Sequence, residues 1–456
     1  MVDFMELKSR KILVVGLGKS GRSVVRYLVR AGAEVTVSEM KKEKDLEPGL
    51  VQEMRTLGVT LETGSHRTDT FIRAEGIVVS PGVPLDLPPL AAAKKKGIPV
   101  KGEMDLAAEL IHTPIVAVTG TNGKSTVTAF LGALLENAGH KAFVGGNLGT
   151  PLIDYAAGEG EADVAVVEVS SFQLDTMESF HPVVAILLNI SPDHLDRYPN
   201  YEAYVQSKLK IFKNQASGDF AILNDDDEVL ASFEPPGEVS VLRYGLKNRQ
   251  HRQAFVEGKG IWAGLPGKAT YYFDLEKCPL PGQHNVENMM AAALAGLTLN
   301  VEPSVIQNTM DHFPGLPHRL ELAGRLREVD FYNDSKATNV DAAIRSVASF
   351  DRPILLIAGG RHKGSDYAPL VRVAKQRVKK AFLMGESKEL MAKAFEGHIP
   401  FVLAEDMRDA VSKAFSMAEP HDVVLLAPAC SSFDMFEDYT HRGRAFKEAV
   451  EGLAHG

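Results

Sequence analysis

The chain has 456 residues, of which 45% are hydrophobic and 24% are charged; this composition excludes a disordered chain, and the length suits about three domains. Its 50 Lys and Arg residues against 59 Asp and Glu residues give a net charge of −9, which argues against a protein that wraps nucleic acid. With two cysteines and no apolar run near the ~20 residues of a membrane span, we expect a cytoplasmic protein in a reducing compartment without membrane contact.

The N-terminal residues predict a βαβ unit with a parallel sheet. Short apolar runs indicate strands over residues 11–15, 34–38 and 76–80. Residues 20–31 have the apolar spacing of an amphipathic helix and lie between the first two strands.

A glycine-rich turn connects the first strand to this helix. Residues 16–21 have the sequence GLGKSG and fit G-x-G-x-x-G, in which glycines let the backbone approach a phosphate at a helix N-terminus. Glu39 ends the next strand, where a carboxylate accepts a hydrogen bond from a ribose hydroxyl or a base N–H. The pattern indicates a nucleotide diphosphate site. A packing turn without a ligand and a nicotinamide site, which would make the chain a dehydrogenase, stay open as alternatives.

The middle of the chain predicts a second α/β unit. Strands over residues 115–118, 164–169 and 183–188 are almost wholly apolar, as expected of strands buried on both faces of a parallel sheet. A helix is expected over residues 125–138, and the glycine-rich residues 237–273 predict a small antiparallel sheet.

Residues 120–126, with the sequence GTNGKST, lie between a predicted strand and a predicted helix. Backbone N–H groups in such a loop cradle phosphate, Lys124 can neutralise phosphate oxygens and the Ser125 hydroxyl can ligate Mg²⁺. The loop is a shorter variant of G-x-x-x-x-G-K-[ST], because Val118 occupies the position of the first glycine. It predicts an ATP site, and the alternative is a helix start with a chance GKS sequence.

Two further side chains are candidate metal ligands beside this loop. Glu168 ends a buried strand, at the sheet edge where open α/β folds bind ligands, and a carboxylate there suits Mg²⁺. His194 follows the next strand and can ligate a cation or orient a phosphate, although a lone histidine is usually an ordinary loop residue.

The last third of the chain predicts another α/β unit, with strands over residues 354–358, 380–384 and 423–426. The predicted class is therefore α/β, with three domains in series. These are a Rossmann-like domain over residues 1–101, a P-loop ATPase-like central domain with a parallel and a small antiparallel sheet over 102–314, and a Rossmann-like domain over 315–456.

Five motifs in chain order resemble the Mur ligases of peptidoglycan synthesis, relatives of folylpolyglutamate synthase, over essentially the whole chain. They are GTNGKST at 120–126, EVSSFQL at 168–174, Asn189 with DHLD at 193–196, GQHNVEN at 282–288 and GLPHR at 315–319.

Other segments resemble the family member that adds D-glutamate to UDP-N-acetylmuramoyl-L-alanine. They are residues 16–21, SPG at 80–82, NDSKATN at 333–339 and PACSSFD at 428–434. A DNPR motif, expected in the member that adds meso-diaminopimelate, is absent.

The resemblance implies an ATP-dependent amide ligase that works through an acyl phosphate with two Mg²⁺ ions. The implied ATP site comprises Gly120, Thr121, Asn122, Gly123, Lys124, Ser125, Thr126, Asn285, Asn288, Arg319 and Asp334. The implied UDP-sugar site comprises Lys19, Ser20, Glu39, Gly82, Asn147 and His194, and the implied amino-acid site comprises Lys336, Thr338, Lys363, Ser432, Phe433 and Tyr439. The implied catalytic residues are Lys124, His194 and Lys208, and the implied metal ligands are Ser125, Glu168, His194 and Lys208.

Three positions need separate comment. Met40 stands where the family resemblance implies a hydrogen-bonding side chain, and Tyr439 stands where the family usually has Phe. The spacing around Lys208 is typical of a solvated helix lysine, whereas the resemblance implies a carbamylated lysine that acts as a carboxylate ligand near the second Mg²⁺. Carbamylation needs the neutral amine, so a pKa lowered by burial or by nearby cations would favour it.

Besides the dehydrogenase, two alternatives to this ligase stay open. One is an ATP-driven conformational switch whose outer domains bind partners, and the other is a ligase of the same family that takes a different amino acid. For the ligase we expect small-molecule substrates, no nucleic acid and a monomer.

Overall fold

The computed structural model describes residues 6–158, 161–194 and 197–453. Three β-sheets follow one another along this part of the chain, each with helices between its strands. The predicted α/β class with three consecutive units is confirmed. Among the described residues, no helix combines the length and the apolar character that crossing a membrane requires.

The first sheet is wholly parallel. Its strands are β1 (Lys11–Val15), β2 (Glu34–Glu39), β3 (Thr60–Thr63), β4 (Gly76–Val79) and β5 (Val100–Gly102), joined by helices α1 (Lys19–Arg30), α2 (Leu50–Thr56), α3 (Thr68–Arg73) and α4 (Pro88–Lys95). The strand order is β3-β2-β1-β4-β5, so the winding direction reverses between β1 and β4. In open α/β sheets, ligands bind at the carboxyl ends of the strands at this reversal.

The glycine-rich turn lies at this reversal and is closely packed. Gly16 has a φ of +87°, and the Ser80 hydroxyl donates to its carbonyl oxygen at 2.9 Å. A Cβ on Gly21 would lie 2.1 Å from that same oxygen, whereas a Cβ on Gly18 would meet no atom within 4 Å. Gly21 is therefore needed for the close approach of α1, and Gly18 leaves the turn open.

The second sheet is the largest. Its strands are β6 (Ile115–Thr119), β7 (Ala142–Gly146), β8 (Val164–Glu168), β9 (Val184–Leu187), β10 (Phe220–Asn224), β11 (Ser240–Gly245), β12 (Ala254–Glu257), β13 (Gly260–Gly264) and β14 (Thr270–Asp274). Its helices are α5 (Glu103–Ala108), α6 (Lys124–Asn137), α7 (Leu152–Ala156), α8 (Ser171–Leu174), α9 (Tyr201–Leu209), α10 (Gln283–Thr298) and α11 (Pro303–His312).

The strand order in this sheet is β14-β13-β12-β11-β10-β9-β6-β8-β7, and β12 to β14 pair antiparallel. The predicted antiparallel strands are thus present, but they extend the edge of the parallel sheet instead of forming a sheet of their own. Strands β6, β8 and β9 are buried along their whole length, because apolar side chains of α6 and α10 cover one face of the sheet and those of α5, α7 and α9 cover the other.

The third sheet has the order β15-β16-β20-β17-β18-β19, with only the first pair antiparallel. Its strands are β15 (Glu321–Leu326), β16 (Val329–Asn333), β17 (Ile354–Gly359), β18 (Val378–Met384), β19 (Phe401–Leu403) and β20 (Val423–Leu426). Its helices are α12 (Val340–Ala348), α13 (Ala368–Ala374), α14 (Lys388–Phe395), α15 (Met407–Met417) and α16 (Tyr439–Leu453). The domain boundaries near residues 101 and 314 stay a prediction.

We expect Gly21→Ala to destabilise the N-terminal unit by about 1–3 kcal/mol, because the new methyl group would overlap the Gly16 carbonyl oxygen and push α1 away from the turn. Gly18→Ala is the matched control in the same turn, and its effect should stay within about 0.5 kcal/mol. Urea unfolding of the full chain, followed by circular dichroism, measures both variants. Equal losses of stability would contradict the close-packing explanation.

Candidate active site

The loop between β6 and α6 has the backbone of a phosphate cradle. Gly120 has a φ of +152° and Gly123 a φ of +89°. A Cβ on Gly123 would lie 2.4 Å from Oδ1 of Asn288, so this position requires glycine where α10 packs against the loop. The backbone N–H of Asn122 donates to Oδ1 of Asn189 at 2.8 Å, which fixes the loop to the end of β9. The loop thereby presents the N-terminus of α6 to a cavity.

Two lysine side chains converge on one carbonyl oxygen of this loop. The Nζ atoms of Lys124 and Lys208 donate to the oxygen of Gly120 at 2.9 and 2.8 Å. Lys208 projects from α9, is 2% exposed, and its Nζ lies 4.8 Å from the ring centroid of Tyr204. Burial lowers the pKa of Lys208 well below the usual lysine value, and the charge of Lys124 lowers it further. The interpretation of Lys208 as a solvated helix lysine is therefore wrong.

Glu168, the last residue of β8, supplies a buried carboxylate. The Ser125 hydroxyl donates to its Oε2 at 2.5 Å, and Nδ2 of Asn147 donates to its Oε1 at 2.6 Å. Burial opposes ionisation, but the charge of Lys124 and these two hydrogen bonds outweigh it, so the pKa of Glu168 is lowered.

An ionised carboxylate beside a hydroxyl suits Mg²⁺, which prefers oxygen ligands. No cluster of three or more His, Cys, Asp and Glu side chains that could hold a metal occurs in the part of the chain that the structure describes. A magnesium ion at Glu168 and Ser125 would therefore need further ligands from phosphate oxygens or water, as Mg²⁺ commonly does.

The C-terminal unit contacts the phosphate loop directly. Nη2 of Arg319 donates to the Ser125 hydroxyl oxygen at 2.6 Å, and Nδ2 of Asn122 donates to Oδ2 of Asp341 at 2.7 Å. The Ser191 hydroxyl donates to the same oxygen of Asp341 at 3.2 Å. Asp341 lies in the first turn of α12, and sequence reasoning missed it because its only signal was its place two residues after the NDSKATN segment.

His194 lies at the edge of the same cavity, with a φ of +55° and its ring centroid 4.9 Å from that of Phe172. Burial lowers the pKa of His194, despite the neighbouring carboxylate of Asp193, and this favours the neutral imidazole that binds metals. Oδ2 of Asp193 accepts a hydrogen bond from Nδ2 of Asn339 at 3.0 Å, a second contact with the C-terminal unit. Residues 195–196, the last two of the DHLD motif, lie outside the described residues.

A cavity of about 280 Å³ between the middle and C-terminal units gathers most of the predicted site. The predicted residues that line it are Thr121, Asn122, Gly123, Lys124, Ser125, Asn147, Glu168, His194, Lys208, Arg319, Lys336, Thr338 and Lys363. All of the predicted catalytic and metal-binding side chains are among them.

A smaller neighbouring cavity of about 70 Å³ holds four further predicted ATP residues. These four residues are Thr126, Asn285, Asn288 and Asp334, and Arg319 lines this cavity as well as the larger one. Burial raises the pKa of Asp334 to about 6, and the hydroxyl of Ser346 donates to this carboxyl group.

The predicted UDP-sugar residues of the first unit lie away from these cavities, where the first and middle units meet. Nζ of Lys19 donates to the carbonyl oxygen of Gly149 at 2.6 Å, and Nη1 of Arg197 donates to that of Gly82 at 2.8 Å. Ser20 is the second residue of α1 and is half-buried. The structure therefore separates this group from Asn147 and His194, the two UDP-sugar candidates that line the larger cavity.

Glu39 has a local role that the sequence did not reveal. Its carboxylate accepts hydrogen bonds from the backbone N–H of Leu17 at 2.7 Å and from that of Lys41 at 2.8 Å. Glu39 therefore shapes the glycine-rich turn itself. The adjacent Met40 is 55% exposed at the same edge of the sheet.

The predicted amino-acid residues divide into two groups. Lys336 lines the larger cavity, and its Nζ lies 3.9 Å from the ring centroid of Tyr439. Burial lowers the pKa of Lys336 to about 8, and the charge of Arg319 contributes. Ser432 is 2% exposed and Phe433 is 62% exposed, and neither lines the cavity.

Arg442, in α16, is a structural support that sequence reasoning missed. It is 1% exposed and donates to both oxygens of Ser335 and to the carbonyl oxygens of Cys430 and Ser431. These bonds fix the turn before Ser432 against the NDSKATN segment. A single arginine in a helix carries no sequence signal for such a role.

Family models match three consecutive segments of the chain. They are the "Mur ligase MurD-like, N-terminal domain" over residues 10–102, the "Mur ligase middle domain" over 118–296 and the "Mur ligase, glutamate ligase domain" over 318–430.

Full-length relatives carry the name UDP-N-acetylmuramoylalanine--D-glutamate ligase. The one from Desulfosudis oleivorans is 44% identical over 452 residues, which cover 99% of this chain and 98% of the relative. The one from Geotalea uraniireducens is 42% identical and covers 99% of both chains.

Solved structures share the fold at low identity. The UDP-N-acetylmuramate-alanine ligase from Thermotoga maritima superposes with a TM-score of 0.60 at 18% identity, over 97% of this chain and 99% of that one. MurF from Acinetobacter baumannii superposes with a TM-score of 0.59 at 15% identity, over 99% of this chain and 93% of that one.

We expect the Lys336 amine to titrate near pH 8 in the unliganded protein, so its charged fraction falls as the pH rises through 8. The measurement is the pH dependence of ¹³C-methyl signals after reductive methylation, with the Lys336 signal assigned by its loss in Lys336→Arg. A bound carboxylate should raise the midpoint, because it favours the charged amine. A midpoint near the ordinary lysine value of about 10.4 would show that the site does not desolvate this side chain.

Proposed function

The chain belongs to the Mur ligase family, and on that premise we propose that it joins D-glutamate to UDP-N-acetylmuramoyl-L-alanine with cleavage of ATP to ADP and phosphate. The observation that carries the proposal is the 42–44% identity, over 99% of the chain, to relatives named for this reaction. Membership of an ATP-dependent ligase family contradicts both the dehydrogenase and the non-catalytic switch. The product is a precursor of peptidoglycan.

Amide formation requires activation, because a carboxylate is a poor electrophile. A carboxylate oxygen of the L-alanine residue attacks the γ-phosphorus of ATP, the bond to the β–γ bridging oxygen breaks, and ADP leaves. The amine of D-glutamate then attacks the acyl carbon and loses a proton, and phosphate leaves with the electrons of the carbon–oxygen bond. Three anionic substrates must meet, so the main demands on the protein are positioning and electrostatic stabilisation.

The phosphate loop meets these demands at the triphosphate. Lys124 lies at the N-terminus of α6, and Arg319 reaches the same place from the C-terminal unit. Glu168 and Ser125 would hold Mg²⁺, which would supply positive charge to neutralise phosphate oxygens. The other residues proposed for ATP are Gly120, Thr121, Asn122, Gly123 and Thr126 at the phosphates, and Asn285, Asn288 and Asp334 beside the adenosine.

Contact between the two units also restricts water. Arg319 bonds to Ser125, and Asp341 bonds to Asn122, so the C-terminal unit covers the phosphate loop. An acyl phosphate formed beneath this cover is protected from hydrolysis, which would otherwise waste ATP.

The cavity also has the charge that D-glutamate needs. Lys336 and Lys363 are cations for its two carboxylates, and the Thr338 hydroxyl is a further donor. We propose that Ser432, Phe433 and Tyr439 complete this site next to the cavity. None of these side chains is acidic, so a second amine of a diamino acid would find no partner among them.

The UDP-sugar is proposed to extend from the first unit into the cavity. Lys19, Ser20, Glu39 and Gly82 lie at the carboxyl end of the first sheet, where the turn favours a diphosphate. Asn147 and His194 line the cavity and would face the alanine end. We propose a monomer in the cytoplasm, and its soluble nucleotide and amino-acid substrates support that location.

With UDP-N-acetylmuramoyl-L-alanine and ATP present, we expect phosphate release on adding D-glutamate and little on adding L-glutamate, meso-diaminopimelate or L-lysine. The cations and hydroxyls around the cavity suit a second carboxylate better than a second amine, and the preference for the D-enantiomer is expected from the relatives named for D-glutamate. A coupled phosphate assay with each amino acid measures the selectivity, and omission of the UDP-sugar is the control. Turnover with a diamino acid equal to that with D-glutamate would assign the chain to another ligase of the family.

We further propose that Lys208 carries a carbamate that serves a second Mg²⁺ together with His194. The neutral Lys208 amine attacks CO₂, forms a nitrogen–carbon bond and releases a proton, which leaves a carbamate anion. Its burial and the neighbouring Lys124 disfavour the ammonium form, and this supports the neutral amine that the reaction needs. The carbamate would give the site the anionic oxygens that an unmodified lysine lacks.

We expect Lys208→Ala and Lys208→Arg to lose most ligase activity, because neither side chain can form the carbamate and arginine keeps its positive charge. Acetate or formate should partly restore Lys208→Ala by supplying oxygens in the vacated space, whereas chloride at equal ionic strength should not. The phosphate assay measures each case. A fully active Lys208→Arg variant would refute the carbamate.

A further inference from the structure

One segment, residues 147–154, joins the ATP site to the first unit. At its start, Asn147 donates to Glu168 twice, from Nδ2 to Oε1 at 2.6 Å and from its backbone N–H to the carbonyl oxygen at 2.9 Å. Two residues later, the carbonyl oxygen of Gly149 accepts a hydrogen bond from Nζ of Lys19 at 2.6 Å. We call residues 147–154 the bridge segment.

The end of the bridge segment also contacts the first unit. Oδ2 of Asp154 accepts a hydrogen bond from the Ser23 hydroxyl at 2.8 Å. Ser23 and Lys19 both belong to α1, the helix that starts in the glycine-rich turn. The bridge segment therefore sets the distance between the buried Glu168 carboxylate and the turn proposed to bind the diphosphate.

A buried carboxylate holds the bridge segment in place. Glu103, the first residue of α5, is 2% exposed, and its Oε1 accepts a hydrogen bond from the backbone N–H of Ile153 at 2.8 Å. Helix α7 begins after Pro151, which offers no side-chain cap, so Glu103 satisfies an N–H at a helix start that has no intrahelical partner. The other carboxylate oxygen, Oε2, is buried without a hydrogen-bond partner.

This carboxylate is unfavourable for stability by itself. Burial raises the pKa of Glu103 to about 7, and the charge of the nearby Asp154 also disfavours its ionisation. A glutamine would make the same bond to Ile153 without a charge, so what this position supplies to the bridge segment is a hydrogen-bond acceptor and not a charge. Its contact with the bridge segment points to a role in the reaction.

We propose that Glu103 is a positioning residue, which holds the bridge segment so that Asn147 stays on Glu168 and Gly149 stays on Lys19 while the UDP-sugar is bound. The inference rests on the proposed function, because it assumes that the UDP-sugar lies along the first unit and the cavity. Loss of the Glu103–Ile153 hydrogen bond would let the segment drift and would misplace the acyl end of the UDP-sugar relative to the phosphate loop.

Two substitutions of similar volume separate positioning from packing. Glu103→Met fills the same space without an oxygen acceptor, and Glu103→Gln keeps the acceptor. We expect Glu103→Met to raise the KM for the UDP-sugar by up to roughly tenfold, as expected for loss of one hydrogen bond. On the same argument, the KM for ATP should change less than about twofold in Glu103→Met. In Glu103→Gln, the KM values for the UDP-sugar and for ATP should both stay close to those of the wild type.

Asp105 provides a matched control in the same helix. It is 0% exposed, and its Oδ1 accepts bonds from the backbone N–H groups of Glu178 and Ser179 at 2.9 and 2.7 Å, while its Oδ2 has no partner. It therefore matches Glu103 in burial but holds a segment that touches neither proposed substrate. We expect Asp105→Leu to lower stability without a selective change in the KM for the UDP-sugar.

Hydrogen–deuterium exchange of the wild type and the variants gives a readout that does not need ligation. Amides of residues 147–154 should exchange faster in Glu103→Met and normally in Glu103→Gln and Asp105→Leu. Unchanged exchange in Glu103→Met, or equal KM changes in Glu103→Met and Asp105→Leu, would overturn the positioning role. If the variants exchange as expected but the wild type does not join D-glutamate to the UDP-sugar, the proposed function is refuted and the positioning role of the bridge segment's contact is not.

Discussion

The site depends on two lysine amino groups that donate to the same carbonyl oxygen, that of Gly120, inside the protein. Positive charges on Lys124 and Lys208 repel each other there, and the carboxylates of Asp193 and Glu168 attract both. Such an arrangement is unfavourable without anions and becomes favourable when phosphate enters. The chain as a whole has a net charge of −9, so attraction of anionic substrates has to come from this local field.

The fold concentrates that charge by topology. Parallel strands end at the same edge of a sheet, and β6, β8 and β9 are neighbours, so the phosphate loop, Glu168 and the segment after Asn189 emerge side by side. Additional cations come from outside the sheet. Arg319 and Lys336 belong to the C-terminal unit, and they enter the cavity because α12 places Asp341 against the phosphate loop.

Much of this arrangement could be predicted from the sequence, because periodicity and motifs are local. Alternating apolar runs and helical patterns gave the three α/β units, and the loop at 120–126 and Glu168 were placed from a strand end and a helix start alone. The family resemblance added Lys336 and Lys363. By contrast, the bonds from the backbone N–H groups of Leu17 and Lys41 to the Glu39 carboxylate could not be predicted, because they depend on the exact course of the turn.

Contacts between residues far apart in the sequence could not be predicted, since they depend on how helices and sheets pack together. Glu103 with Ile153 and Asp341 with Asn122 join residues 50 and 219 positions apart, and neither acidic residue stands in a recognised motif. The burial of Lys208 was equally hidden, because spacing alone does not say which side of a short helix faces the core. In α9, both Tyr204 and Lys208 are buried, so the lysine lies on the inner face with an aromatic ring.

The burial of Lys208 has a chemical consequence that a surface lysine would not have. A solvated amine stays protonated at neutral pH and does not attack CO₂, whereas a desolvated amine beside another cation is neutral and nucleophilic. Once it forms, a carbamate replaces an amine whose protonated form repels Lys124 with an anion that attracts Lys124. Repulsion from Lys124 would thus favour loss of the Lys208 proton, and the carbamate that then forms would remove that repulsion. In this way one buried lysine can give an otherwise cationic site the anionic oxygens that a second magnesium ion requires.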